Sequence, residues 1–273
     1  MKSKHLIRTA VIQMESQADK QTNIDSAEKM IRKAAKQSGF IVLPEVFSYR
    51  GPQSTFFEQA EIMRGKTVLH FSKLAASLKI DLVLGSMLEK HTRSKKCFNT
   101  SVHIGPSGKI LATYRKMHLF EAQLPDRFVS ERIALIEGKK TQITSVGPFK
   151  VGMSICYDLR FPEQYLKYAL RGAQILLVPS AFTHHTGKDH WEILLRSRAV
   201  ENQCYVIAPN QSGTGGNQIR MYGHSMIIDP WGRILAEADE NRPDIIYADI
   251  NIETINEIRQ TLPSLANRSL YKK

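Results

Sequence analysis

Phe149-Lys150-Val151-Gly152-Met153-Ser154-Ile155-Cys156-Tyr157-Asp158-Leu159-Arg160-Phe161-Pro162-Glu163 changes character partway along. Residues 149–155 are apolar and β-prone, the pattern of a buried strand. Pro162 suits a helix start, and residues 163–171 carry helical spacing. Cys156 falls at the strand-to-helix turn between them. Such a turn exposes a side chain and aims backbone N–H groups and a helix dipole at it, which favours a thiolate. The competing reading is a buried structural cysteine, because free Cys packs as a small apolar residue.

The same alternation extends outward from this turn. Residues 6–13, 40–43, 81–86, 99–104, 110–115, 141–144, 175–178, 204–208, 225–229, 233–237 and 245–250 read as strands. Residues 24–35, 68–78, 190–203 and 252–262 read as helices. Gly105-Pro106-Ser107-Gly108 and Trp231-Gly232 sit at hairpin turns. Strands alternating with helices, yet interrupted by hairpins, imply an α/β protein with mixed sheets and not a parallel barrel. With no linker, low-complexity segment or short repeat, we expect a single domain over residues 1–273.

Two further residues can do chemistry. Glu45 follows Ile41-Val42-Leu43-Pro44, at the C-terminal end of a buried strand, where ligand crevices of open α/β sheets lie. A carboxylate there can serve as a base. Lys116 ends the strand over residues 110–115, where its ammonium can stabilise an oxyanion. Taken singly, a solvated loop glutamate and a surface lysine compete with these roles.

Composition narrows the partners. The chain holds 38 Lys and Arg against 26 Asp and Glu, a net charge of +12. That balance favours anionic partners. No aromatic-and-basic recognition motif accompanies it, so we expect a small anionic substrate and no nucleic acid. Lys90, Arg93, Lys95 and Lys96 read as a solvated hairpin tip. No apolar run approaches the ~20 residues that cross a bilayer, so no membrane association is expected. The N-terminal stretch lacks a signal-peptide pattern, which points to the cytoplasm. Three cysteines, with no CxxC pair, suit reduced thiols and not a disulfide framework or a zinc site. Among nine histidines, His184, His185 and His190 cluster, but nothing nearby completes a ligand spacing, so neither metal nor cofactor is expected. A papain-like Cys–His pair lacks its local signature.

Leu43-Pro44-Glu45, Tyr114-Arg115-Lys116 and residues 152–163, in that order, make the chain similar to the nitrilase superfamily of carbon–nitrogen hydrolases. The resemblance runs on through Pro179-Ser180-Ala181-Phe182, His190-Trp191-Glu192, residues 196–203 and residues 222–232, almost the whole chain. It implies a four-layer α-β-β-α sandwich and a homodimer that packs through helices, with the segment from about residue 252 to 273 at the interface. It implies Cys156 as nucleophile, Glu45 as general base, and Lys116 with the Tyr157 backbone N–H as oxyanion donors. Glu131 matches a second glutamate that orients Lys116. Within the superfamily the chain most resembles deaminated glutathione amidases, with the related ω-amidases as alternative. A substrate with a carboxylate at each end would need cationic and polar groups, for which Arg50, Arg160, Thr183, His185 and Thr186 are candidates. Arg160 also stands close enough to Asp158 and Glu163 to pair with either. His118, His184, His185, His190 and His224 are expected to line or border the pocket. A non-catalytic scaffold that binds a small acid or a protein is the remaining alternative.

Overall fold

The computed structural model describes residues 5–123 and 128–269. The first half builds one mixed sheet from β1 (Leu6–Gln13), β2 (Phe40–Val42), β3 (Asp81–Lys90), β4 (Cys97–Ile104) and β5 (Ile110–Arg115). A small antiparallel pair, β6 (Glu121–Gln123) and β7 (Phe128–Ser130), follows. The second half builds another mixed sheet from β8 (Gln142–Val146), β9 (Phe149–Met153), β10 (Ile175–Leu177), β11 (Tyr205–Ala208), β12 (Met226–Ile228) and β13 (Ile234–Glu237). The last strand, β14 (Asp244–Asn251), returns to the first sheet and pairs antiparallel with β1 from Leu6↔Asn251 to Gln13↔Asp244. In each sheet three central strands run parallel, β1-β2-β3 and β9-β10-β11, and the flanking strands are antiparallel.

The helices are α1 (Lys20–Ala34), the single-turn α2 (Phe56–Gln59), α3 (Lys66–Leu78), α4 (Pro162–Leu170), α5 (His184–Asn202) and α6 (Ile252–Thr261). Strand side chains alternate between faces, and here both faces are buried. Ala10 and Ile12 of β1 pack toward α1 and α3, against Ile24, Ile31 and Phe71. Val11 points the other way, joining Val42 and Val83 against Val151, Leu177 and Ile207 of the second sheet. The outer face of that sheet packs Leu176 and Val206 on Tyr165 and Tyr168 of α4 and Trp191 and Leu195 of α5. The order helices, sheet, sheet, helices is the α-β-β-α sandwich that the resemblance implies.

Strand positions agree closely with the sequence reading, and the differences have local causes. Helix α1 begins at Lys20, before its apolar spacing, because Asp19 caps it by accepting the Thr22 N–H at 2.6 Å. Helix α5 begins at His184, six residues ahead of the pattern over 190–203. Its first turn is shaped by contacts from elsewhere: His184 N–H donates to Arg220 O at 2.9 Å. Gly187 abuts Tyr222, which a Cβ would meet at 2.4 Å. Arg93 and Lys95 are exposed between β3 and β4, as a hairpin tip should be. No helix among the described residues is long and apolar enough to cross a membrane.

Candidate active site

Glu45 lies beyond the C-terminal end of β2, in a turn packed against β3. Gly85 allows the approach, since a Cβ there would sit 1.9 Å from Leu43 O. Next to it, Ser86 Oγ accepts the Val46 N–H at 2.9 Å. Val46 has φ 48°, a conformation that strains a β-branched residue by about 1–3 kcal/mol and persists only where its surroundings fix it. From just past β11, Gln211 Nε2 donates to Glu45 O at 2.8 Å, which ties the turn to the other sheet. The Glu45 carboxylate is buried and takes three donors. Asn99 Nδ2 (2.8 Å) and Lys116 Nζ (2.9 Å) reach Oε1, and the Ala181 N–H (2.7 Å) reaches Oε2.

Lys116 leaves the end of β5 and is buried, its Nζ 2.9 Å from Glu45 Oε1 and 2.9 Å from Glu131 Oε1. Glu131 opens a 3-10 turn, Glu131–Ile133, and its Oε2 accepts the Phe120 N–H at 2.7 Å. Burial pulls the Lys116 ammonium toward neutrality. Glu131, Glu45 and the Cys156 sulfur outweigh that and hold it well above its ordinary value. Burial pushes the Glu131 carboxyl up, against the pull of Lys116.

Cys156 follows β9 at φ 47°, a sharp elbow. Its N–H donates to Pro179 O at 3.0 Å. The next turn, Cys156–Arg160, is a short 3-10 helix, and α4 begins only at Pro162. The α-helix expected at this turn therefore starts six residues beyond Cys156. Burial pushes the Cys156 thiol well above its ordinary value, Glu45 adds to this, and Lys116 opposes it. Cys97 and Cys204 are buried elsewhere, their thiols pushed by burial to about 11 and about 12. They are packing residues.

Glu45, Lys116, Glu131, Cys156 and Tyr157 open on one cavity of about 330 Å³, within the range of small-molecule sites. Of the substrate-binding candidates, Arg50, Arg160, Thr183 and Thr186 line it. His185 is exposed and lies outside it. The Thr183 and Thr186 hydroxyls are 3.1 Å apart. Arg160 pairs with neither Asp158 nor Glu163: its guanidinium reaches His190 Nδ1 at 3.3 Å and lies over the rings of Phe182 and Tyr157. Arg50, by contrast, is buried with its fork committed. It donates to Ser212 O (3.2 Å), Gly213 O (3.3 Å), Thr214 O (2.5 Å) and Ile219 O (2.6 Å). The histidines expected at the pocket do not line it. His118 Nδ1 is 2.7 Å from Asp158, His184 faces Glu240 at 3.3 Å, and His224 faces Glu237 at 2.6 Å.

Asn99 and the Ala181 N–H escaped the sequence reading. Asn99 shares β4 with Thr100, Ser101 and His103, so nothing in the strand's sequence singles it out. The backbone donor has no signal in sequence. The chain matches the Carbon-nitrogen hydrolase family over residues 8–260. It is 40% identical over 266 residues to the deaminated glutathione amidase of a Synechocystis species, covering 95% of this chain and 97% of that protein. It is 38% identical over 258 residues to the Homo sapiens omega-amidase NIT2, covering 94% and 92%. The C. elegans NitFhit crystal structure is similar at TM-score 0.92 and 36% identity, covering 98% of this chain and 66% of that longer one. A family match that spans nearly the whole chain, and two amidase relatives that align along more than nine-tenths of their own length, establish that this protein belongs to the carbon-nitrogen hydrolase family.

Proposed function

We propose that this hydrolase is an amidase that works through a Cys156 thioester, and that its substrate is deaminated glutathione, cleaved to 2-oxoglutarate and Cys-Gly. The observation that carries the chemistry is Lys116 Nζ held 2.9 Å from both Glu45 and Glu131 at the cavity that Cys156 opens on. Glu45 accepts the thiol proton while the sulfur attacks the amide carbon. An ammonium has three donors. Two of them meet carboxylates here, which leaves the third, with the Tyr157 N–H, for the developing oxyanion. Glu45 then returns the proton to the leaving amine, and the C–N bond breaks. Water, deprotonated by Glu45, attacks the thioester; the C–S bond breaks and the thiol re-forms. No step calls for a metal or cofactor.

Size and charge favour the larger substrate. A short dicarboxylic amide, the ω-amidase alternative, would leave much of the cavity to water. Arg160 stands at the cavity with no carboxylate of the described residues among its contacts, ready for a substrate carboxylate, a contact worth about 1.5–3 kcal/mol. We also read the protein as a cytoplasmic homodimer; three unpaired cysteines suit a reducing compartment. Two measurements test the enzymatic reading. Quenched intact-mass analysis should find an acyl increment on the wild type and none on Cys156→Ala; normal turnover by Cys156→Ala ends the thioester mechanism. Ammonia or Cys-Gly release should rank deaminated glutathione above α-ketoglutaramate in kcat/KM, and both above neutral aliphatic amides. A clear win for α-ketoglutaramate makes this an ω-amidase, and a win for a neutral amide removes the anionic pocket.

A further inference from the structure

We infer that Asp158, gripping Tyr114 and His118, is the positioning device that fixes the Cys156 elbow relative to Lys116. This rests on the reading of Cys156 as nucleophile and Lys116 as its electrostatic partner. Asp158 is fully buried, and a buried carboxylate requires donors. It has four. Tyr114 Oη (2.6 Å) and the Ile155 N–H (2.9 Å) reach Oδ2; the His118 N–H (3.0 Å) and His118 Nδ1 (2.7 Å) reach Oδ1.

The positions of those donors carry the inference. Tyr114 and His118 stand two residues before and two after Lys116. Ile155 and Asp158 stand one before and two after Cys156. One carboxylate therefore joins the segment that carries the lysine to the segment that carries the nucleophile. Tyr114 and His118 grip Asp158, while Lys116 between them reaches Glu45 and Glu131. Neither Asp158, His118 nor Tyr114 lines the cavity, so none touches substrate. Further contacts set the grip. The His118 ring stacks on Phe161 at 3.7 Å, and Phe161 meets Tyr157, a cavity residue, edge-on at 5.6 Å. Tyr114 Oη also accepts from Gln164 Nε2 at 3.0 Å and from the Met117 N–H at 3.3 Å. Because a carboxylate only accepts, His118 presents Nδ1–H to Asp158.

The test compares full-length His118→Ala, His118→Asn and Tyr114→Phe with the wild type. An Asn Nδ2–H can replace the lost Nδ1–H. Misplacement of about 1 Å is enough to cost on the order of 10²-fold in rate. His118→Ala should lose about 10- to 100-fold in single-turnover acylation with KM nearly unchanged, and His118→Asn should recover most of it. The second readout needs no substrate: the pH profile of Cys156 alkylation by iodoacetamide, followed by mass. The groups that face the sulfur are Glu45, Lys116, Glu131 and the Ala181 N–H, and none is altered. If Lys116 drifts from the sulfur, the profile moves to higher pH in His118→Ala and returns in His118→Asn. Tyr114→Phe, which keeps the ring packing, should move both readouts the same way by less. A lowered Tm with acylation and alkylation unchanged in the folded variants overturns the inference and makes Asp158 a fold element only. If His118→Ala fails to fold, an unshifted Tyr114→Phe overturns it equally. A wild type that alkylates at Cys156 but is never acylated by amides would sink the amidase reading while the alkylation profiles still decide the positioning role.

Discussion

Cys156, Glu45, Lys116 and Glu131 share one buried volume, and their charges set what each can do alone. The thiol is held up by burial first and by Glu45 second, and Lys116 pulls it down. The signs lead to an unusual separation of reactivities. Glu45→Gln removes a negative charge from beside the sulfur, so the thiolate forms at lower pH and iodoacetamide alkylation gains at a given pH. Lys116→Met removes the positive charge, and the alkylation profile moves to higher pH. Amide turnover should nevertheless fall in both, by about 10²–10⁴-fold for Glu45→Gln, because in the proposed mechanism Glu45 carries the proton to the leaving amine. Alkylation profiles and steady-state rates on the same two variants check this. Glu45→Gln shifting alkylation to higher pH, or keeping its turnover, would show that Glu45 is not the charged base beside the sulfur.

The cavity wall is held by a loop with no regular structure, and one arginine organises it. Residues 212–219 turn four backbone carbonyls onto the Arg50 guanidinium, and Asn217 Oδ1 adds a contact at 3.4 Å. Burial pulls Arg50 down to about 10, so it stays cationic at neutral pH. Asn217 and Ile219 of this loop line the cavity. Arg50→Lys keeps the charge but loses the planar fork. It should raise KM for deaminated glutathione about tenfold with kcat changed far less, since the loop lines the cavity and makes no contact with the proposed Glu45–Lys116–Cys156 centre through Arg50. An unchanged KM would leave the loop's shape independent of Arg50. Reading Arg50 as a substrate ligand from sequence was natural, because a basic residue near a glutamate at a strand end has no local mark that separates the two roles. The acceptors lie more than 160 residues away. The same limit explains the first turn of α5, which is shaped by contacts from a distant segment; β6 and β7, three residues each and paired with one another, are too short to show a period. The parallel strands and the end that carries Glu45 were legible because both sheet faces are buried, which leaves apolar runs such as the one closed by Pro44; the Cys156 turn was legible because Pro162 opens the helix that follows it.

The whole molecule leaves an apolar face open on its second helical layer. On α5, Ile193 is 64% exposed and Val200 48%, seven residues apart and so on one side of the helix. Trp231, 47% exposed, adjoins them, since Arg196 Nε donates to Gly232 O at 2.9 Å and a Cβ on Gly232 would meet Val200. The C-terminal segment runs along the same helix, with Arg268 Nη2 2.9 Å from Glu201 O. Residues 270–273, the end of the segment assigned to an interface, lie outside the described residues. A second copy is the occupant that suits such a face, because two-fold pairing presents each apolar row to its own image. Each fully covered Ile or Val would contribute about 1.5–3 kcal/mol, offset in part by the entropy lost on association. Light scattering at micromolar concentration should give twice the chain mass, and Ile193→Asp with Val200→Asp should give the monomer. The same helix begins at the cavity wall, where Thr183 and Thr186 sit at its first turn. The monomeric variant should therefore show a lower Tm that no longer rises with protein concentration, together with a raised KM. A wild-type monomer would remove the homodimer, and a double variant that stays dimeric would move the interface off α5.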